Sequence, residues 1–310
     1  MTTTSPVPDS STASGAVRPV GRRRSSRVAQ ILGWAGTIYF VLLVISAIAA
    51  PLIAVTDPIQ QNLGLRYEPP VLAGGTWEYP LGTDNLGRDV FSRIVYGSRV
   101  SLIVAGSAVL LSMVIGTILG LIAGYGAGAG GWIGAVSDRL IMLFSEMALA
   151  IPGILLAIAV AAVFGSSVPI LIGILTLFGW VVFARLVRGA LLSLHSRGFV
   201  EASKVLGSGH VRIVRQHMFP HVVGHIVVIA PLQIGYMILV ETALGFLGLG
   251  IRPPTPTWGT MVAEGRVTLG ASPWVAIFSG LAITLAVLSV NFMGDLLRGR
   301  LTAGSAVRIE

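Results

Sequence analysis

Cysteine is absent from the 310-residue sequence, and only one lysine, Lys204, is present. Without thiols the chain has no disulfide framework, no cysteine nucleophile and no cysteine-ligated zinc or iron–sulfur cluster. A standard P-loop needs Gly-Lys-Ser or Gly-Lys-Thr, so that the lysine reaches the nucleotide phosphates. Because Lys204 stands between Ser203 and Val205, the sequence lacks a standard site for nucleotide hydrolysis. The motifs H-E-x-x-H and G-x-S-x-G, typical of zinc proteases and serine hydrolases, are missing too.

Charge is scarce as well. Only 11% of the residues are charged and 54% are hydrophobic, whereas soluble domains carry about 25% charged residues. The mean hydropathy is +0.84. These values exclude most soluble enzymes and indicate a membrane protein. A net charge of +8 suggests nucleic acid in a soluble chain. In a chain this apolar it is typical of basic cytoplasmic loops, so no nucleic-acid partner is predicted.

Long apolar runs account for the composition. A helix of about 20 residues crosses about 30 Å of hydrocarbon. Six stretches meet that requirement, and the predicted fold class is therefore an all-α membrane protein with six transmembrane helices. The predicted spans are 31–55, 100–124, 140–164, 169–191, 222–247 and 274–297.

The basic residues predict the orientation of these spans, because cytoplasmic loops are enriched in Arg and Lys. Six spans place both ends of the chain on one side. If that side is the cytoplasm, 15 of the 21 basic residues lie inside and six lie outside, namely Arg66, Arg88, Arg93, Arg99, Arg252 and Arg266. The sequence therefore predicts cytoplasmic N- and C-termini.

The chain divides accordingly into four parts. Residues 1–30 are predicted to be a disordered cytoplasmic tail with a basic cluster. Residues 31–99 hold the first span and an extracytoplasmic segment. Residues 100–300 hold a five-helix core that includes a long cytoplasmic loop at 192–221, and residues 301–310 form a C-terminal tail.

The long cytoplasmic loop contains two short amphipathic segments on either side of Gly207-Ser208-Gly209. The glycines relax the backbone and favour a helix–turn–helix. Pro220 is expected to stop or kink the second segment where the chain re-enters the membrane. Arg212 lies on its basic face. A surface helix of this kind lies on lipid or docks into the groove of a partner.

Acidic residues inside membrane spans are candidates for functional residues. Glu146 lies inside the third predicted span, Glu241 near the outer end of the fifth and Asp295 near the inner end of the sixth. Glu241 and Asp295 are expected to reach the interface, whereas Glu146 is deeper. One alternative function is therefore a self-contained, proton-coupled secondary transporter that uses Glu146. Such transporters usually contain internal repeats, and the two halves of this chain show no convincing repeat.

Two further classes of function receive less support. An intramembrane enzyme needs a nucleophile–base pair, which the sequence does not offer. His217, His221 and His225 follow the spacing i, i+4, i+8, which places them on one helix face. No carboxylate accompanies them there, and no metal site is predicted.

Three stretches carry a resemblance to a known family. Glu201-Ala202-Ser203, Gly207 and the closing His217-Met218-Phe219-Pro220 resemble the pattern E-A-A-x3-G-x9-I-x-L-P, which marks the cytoplasmic loop of permease subunits in bacterial ABC importers. Residues 80–93 and 241–259 resemble the C-type permease subunit of dipeptide and oligopeptide importers. The resemblance covers about residues 30–300.

The resemblance implies a type I ABC importer permease fold in the bacterial plasma (inner) membrane. It implies a permease that forms half of a pathway for peptides or similar solutes; relatives carry dipeptides, longer peptides, glutathione, haem or nickel chelates. The implied partners are a second permease in a heterodimer, two ATPase subunits, an extracytoplasmic substrate-binding protein and membrane lipid. No cofactor is expected on this chain, since ATP and Mg would reside on the ATPase subunits.

The resemblance also implies roles for particular residues. The coupling helix that docks on the ATPase is expected in the loop, at Glu201, Ala202, Ser203, Gly207, Gly209, Arg212 and Pro220. Glu146 and Glu241 are candidates for the pathway or gate. Asp84, Arg88 and Asp89 are candidates for contact with the binding protein, the alternative being an amphipathic interfacial helix over 83–93. Similar permeases read Met-Arg-x-x-Asp where this chain has Met142-Leu143-Phe144-Ser145-Glu146.

Overall fold

A computed structural model of the protein describes residues 27–129, 131–195 and 209–306. Within these ranges regular structure is helical, and strand pairing is limited to an isolated bridge between Thr83 and Asp89. In chain order we number the helices α1 (Arg27–Ile48), α2 (Ala50–Ile53), α3 (Val90–Ala129), α4 (Trp132–Ala150), α5 (Gly153–Phe164), α6 (Val168–His195), α7 (His210–Ile213), α8 (Phe219–Phe246), α9 (Trp258–Val267) and α10 (Pro273–Ala306).

Five of these helices are long and apolar enough to cross a membrane, namely α1, α3, α6, α8 and α10. The pair α4–α5 makes a sixth span if it is taken as one broken element. The predicted all-α membrane fold is therefore confirmed. Its boundaries differ, since α3 begins at Val90 rather than at Val100.

The third predicted span is not one straight helix, and that part of the prediction is wrong. α4 and α5 meet at 84°. The break falls at Ile151, whose backbone is extended, and Pro152. Proline disfavours a helical conformation in the residue before it and has no N–H for the helix ladder. The chain therefore turns sharply between the two helices.

α3 and α6 run parallel and pack closely along a stripe of glycines on α3. A Cβ atom on Gly116 would lie 2.3 Å from the carbonyl oxygen of Trp180, and one on Gly120 would lie 2.6 Å from that of Ala184. One on Gly124 would lie 2.8 Å from Cβ of Leu191. Small residues let helix backbones approach in this way. The spacing Gly116-x3-Gly120-x3-Gly124 in the sequence is typical of such close packing.

α1 packs on α10, and α8 lies between α10 and α3. The direction of each helix gives the bundle two ends. The loop end carries residues 54–89 and α9. The α7 end carries the start of α1, the short helix α7 and the last turns of α10. Several large apolar side chains on α4 and α5 are exposed, including Trp132, Phe144, Val163 and Phe164.

Candidate functional site

Four charged side chains form a buried ion-pair cluster at the loop end: Asp84, Arg88, Arg93 and Glu264. Arg88 Nε lies 2.6 Å from Asp84 Oδ2, and its Nη2 lies 2.9 Å from Glu264 Oε2. Arg93 Nη1 donates to the same two carboxylates, at 2.7 Å to Glu264 and in a short contact to Asp84. Two arginines and two acids thus balance each other in charge.

The cluster joins three separate pieces of the chain. Asp84 belongs to residues 54–89, which we call the irregular segment. Arg93 lies in the first turn of α3, and Glu264 lies on α9. Arg93 and Asp84 are each only 1% exposed. Buried charges are tolerated when they are paired, and removing one partner leaves the others uncompensated. The cluster therefore fixes the segment against the helices.

Asp89 caps the start of α3. Its carboxylate accepts hydrogen bonds from the backbone N–H of Ser92 at 2.9 Å and from the Ser92 hydroxyl at 2.5 Å. Burial raises the pKa of Asp89, and the hydrogen bonds from Ser92 and Phe91 oppose that rise. The Ser92 hydroxyl oxygen also accepts from the backbone of Val55 and Thr56. The cap thereby ties the end of the first span to the start of α3.

Two tryptophans complete the packing of the loop end. Nε1 of Trp258, the first residue of α9, donates to the carbonyl of Ile94 at 3.0 Å. Nε1 of Trp274, in the first turn of α10, donates to the carbonyl of Thr83 at 2.9 Å. Trp258 is fully buried. Trp258 thus ties α9 to α3, and Trp274 ties α10 to the segment 54–89, whose own helices are the short 3-10 turns Leu63–Leu65 and Val71–Ala73.

These contacts bear on the predicted binding-protein site. The side chains of Asp84, Arg88 and Asp89 point into the protein and are buried. The alternative of an interfacial helix over 83–93 is wrong, because helical structure begins only at Val90. Contact of this segment with a binding protein stays a prediction. It would have to use exposed neighbours such as Leu72 and Trp77, which are 97% and 81% exposed.

Glu241 is fully buried between α8 and α3. Its Oε2 accepts a hydrogen bond of 2.9 Å from the hydroxyl of Ser101, while Oε1 has no partner among the described residues. The expectation that Glu241 reaches the membrane interface is therefore wrong. The acid instead links two spans near the loop end.

Glu146 lies exposed on α4 and makes no hydrogen bond or ion pair within the part of the chain that the structure describes. Its neighbour Ser145 is fully buried and accepts a hydrogen bond of 2.6 Å from Nε of Arg185 on α6. About two turns earlier on the same helix, Asp138 forms a bidentate ion pair with Arg188, at 2.5 Å and 2.8 Å.

The sequence reasoning missed this bidentate pair between α4 and α6. The sequence did contain an indication of this pair, since both residues stand near the inner ends of predicted spans and carry opposite charges. Their separation of 50 positions hid the pairing. The pair fixes the first half of α4 to α6.

The predicted coupling loop is described only in part. Glu201, Ala202, Ser203 and Gly207 lie outside the described residues. Of the other predicted members, Gly209 immediately precedes α7, Arg212 is exposed on it, and Pro220 lies in the first turn of α8.

Pro220 does not stop the second segment, so that half of the expectation is wrong, while a kink at this position stays a prediction. A π-helical turn, Val214–Met218, carries the chain from α7 into α8 without leaving helical geometry. Pro220 supplies no N–H to this continuous helical ladder, and the wider π-helical turn falls directly before it. Ile213 and Met218 are fully buried, so this helical entry is packed against the core.

The fold is that of a multi-pass membrane protein. It has long apolar helices, one broken span and a short helix that leads directly into a span. Residues 116–304 match the family model for the binding-protein-dependent transport system inner membrane component. The chain belongs to this family. It is accordingly a permease component of an ABC importer, in the inner membrane, and systems of this kind include ATPase and substrate-binding partners.

Particular relatives extend the match. The di/tripeptide transport system permease protein DppC of Pseudomonas aeruginosa is 38% identical over 267 residues, which is 86% of each chain. The glutathione transport system permease protein GsiD of Pectobacterium atrosepticum is 45% identical over 221 residues, or 71% of each chain.

Among solved structures, an inward-facing MetNI methionine ABC transporter matches with a TM-score of 0.57 and 21% identity, over 67% of this chain and 96% of that one. This likeness concerns the fold, and it confirms the expected type I importer permease fold. No comparison supports the alternative of a proton-coupled secondary transporter.

Proposed function

We propose that the chain forms one half of the translocation pathway of an ATP-driven peptide importer, as a heterodimer with a second permease subunit. The observation that carries this proposal is the match to a di/tripeptide permease along 86% of both chains. A second relative is named for glutathione, which is itself a small peptide. Small peptides are therefore the proposed cargo.

The exposed apolar face of α4 and α5 is the proposed contact with the second permease. Trp132 is 76% exposed and Val163 is 77% exposed. Single exposed apolar residues are common on proteins, but a contiguous set of them marks an interaction or lipid surface. Glu146 lies on α4 beside this face, which supports its proposed place at the pathway between the two permeases.

ATPase coupling is proposed for the segment 201–220. Its described part supports this role, because α7 presents the charged Arg212 to solvent and runs through the π-helical turn into α8. A displacement of α7 by an ATPase subunit would then be passed directly to a membrane-spanning helix. Coupling of this kind requires contacts that differ between two states of the assembly.

The proposed orientation puts both termini and α7 in the cytoplasm, and residues 54–89 and α9 outside. Since the chain has no cysteine, single cysteines report on it without background. In spheroplasts, a membrane-impermeant thiol reagent is expected to label a Leu72→Cys variant but not an Arg212→Cys variant until the cells are lysed. Labelling with the opposite preference would overturn the orientation.

The proposed function is tested by reconstituting the chain with its candidate permease, ATPase and binding-protein partners in proteoliposomes. Labelled dipeptide should accumulate only with ATP and the full set. Arg212→Glu should reduce the stimulation of ATPase activity by loaded binding protein, whereas Arg27→Glu, an exposed charge change at the start of α1, should not. Active uptake by this chain alone would contradict the proposal, as would a complete system that moves no peptide.

A further inference from the structure

The seam between α1 and α10 changes in width along its length. A Cβ atom on Gly36 would lie 2.6 Å from Cβ of Phe292, and one on Gly33 would lie 2.9 Å from Cβ of Leu296. The helices are thus in close contact in the middle of α1. Towards the start of α1 the seam opens, because a Cβ atom on Gly299 would meet nothing within 4 Å.

The open part of the seam is a cleft of about 330 Å³ at the α7 end, lined by Ala29, Gln30, Trp34, Asp295, Leu296, Gly299 and Arg300. The guanidinium carbon of Arg300 lies 4.7 Å from the centre of the Trp34 ring. A cation held over an aromatic face in this way is partly fixed in place. The cleft therefore contains a positioned positive charge.

The charges around the cleft are mainly positive. Arg27 begins α1, and Arg298 stands one turn from the cleft residue Asp295 on α10. Asp295 is the acidic residue of the cleft, and its ion pair with Arg298 is loose, at 3.9 Å with both side chains more than half exposed. Arg27 on α1 and Arg298 and Arg300 on α10 thus bring arginine to the same end of the seam.

The surroundings of the cleft are apolar in the direction of the membrane. On α1, Ile31, Ile38 and Leu42 are 66%, 57% and 58% exposed. Tryptophan is enriched at membrane–water interfaces, where one side of its ring is apolar and the other is wet. A second cleft, of about 420 Å³ between α3 and α8, shows the contrast, because apolar side chains and Thr117 line it and no charge does.

We propose that the α1–α10 cleft binds the phosphate of an anionic phospholipid headgroup, with Arg300 as its main contact and the acyl chains along the exposed face of α1. Basic pockets between transmembrane helices bind anionic headgroups by this chemistry. A free phosphate ion offers the same anionic group. The position of the cleft at the ends of two spans, above an apolar helix face, favours the lipid.

Native mass spectrometry of the full-length chain, purified in detergent with any co-purifying subunits, tests the site. The probe is phosphatidylglycerol. The comparison lipid is phosphatidylcholine, whose headgroup carries the same phosphate without net charge. Arg300→Gln is expected to weaken phosphatidylglycerol binding about fivefold, the usual effect of one basic residue near an anionic surface. Gly299→Phe keeps every charge but fills the cleft, and it should weaken binding at least as much.

The matched control is Arg139→Gln, which removes an exposed arginine on α4 and should leave binding unchanged. The proposal is overturned if Arg300→Gln and Gly299→Phe both retain the lipid as the unaltered chain does. An equal loss in Arg139→Gln would also overturn it, since overall charge would then explain the effect. Displacement of phosphatidylglycerol by inorganic phosphate alone would make a soluble anion the ligand and reject the lipid.

Discussion

The two ends of the helix bundle differ in how deeply their ion pairs are buried. At the loop end Asp84, Arg88 and Arg93 are buried and paired with one another or with Glu264. At the α7 end Arg212 and Arg300 are exposed, and the pair of Arg188 with Asp138 is partly exposed. Buried, paired charges make contacts within the chain, whereas exposed charges remain available to other molecules. Arg66, Arg99, Arg252 and Arg266 are exposed at the loop end as well, so the difference lies in the buried cluster, which stabilises the loop end.

The largest expected effect comes from breaking the ion-pair cluster. Asp84→Asn leaves Arg88 and Arg93 with Glu264 as their only carboxylate in the cluster. Removing one partner from a buried ion pair costs about 3–5 kcal/mol. The free energy of unfolding in detergent, followed by denaturant titration, should fall by that order.

The matched control is Arg212→Gln at the α7 end, where exposed substitutions usually stay within about ±0.5 kcal/mol. If Asp84→Asn were as stable as Arg212→Gln, the two ends would not differ as described. The ion-pair cluster would then be incidental to the stability of the loop end.

A smaller effect is expected from the glycine stripe that connects the two ends through α3. Gly120→Ala places a Cβ atom 2.6 Å from the carbonyl oxygen of Ala184. Overpacking of this kind typically costs about 1–3 kcal/mol. Gly106→Ala is the control on the same helix, because its Cβ atom would meet nothing within 4 Å. Thermal unfolding should separate the two variants, and identical melting curves would contradict the close α3–α6 packing.

The smallest effect is expected for the ion pair between α4 and α6. Asp138 and Arg188 have side chains 16% and 30% exposed, so solvent screens their attraction. Asp138→Asn should therefore cost about 1 kcal/mol or less, the range of exposed pairs. The free energies of unfolding of Asp138→Asn and Asp84→Asn, measured under the same conditions, check this order. A loss as large as that of Asp84→Asn would show that burial does not set the difference between the pairs.

Hydropathy predicted the helical class and the six apolar spans, because both depend on residues close together in the sequence. Pro152 carried a signal for the broken span, yet the length of the apolar run outweighed it. The pairing of Arg88 depends in part on Glu264, 176 positions away, and that of Glu241 depends on Ser101, 140 positions away. Pairings of that range follow from the tertiary fold, which no local pattern encodes.

The central claim, that α7 meets an ATPase subunit, is tested most directly by cross-linking in the assembled transporter. The chain contains no cysteine, so Arg212→Cys provides a single reactive thiol on α7, and Leu72→Cys provides one at the loop end. With a short thiol-to-amine cross-linker, Arg212→Cys should give a product with the ATPase subunit and Leu72→Cys should give none. An ATPase product from Leu72→Cys, or none from Arg212→Cys in an active complex, would contradict the account.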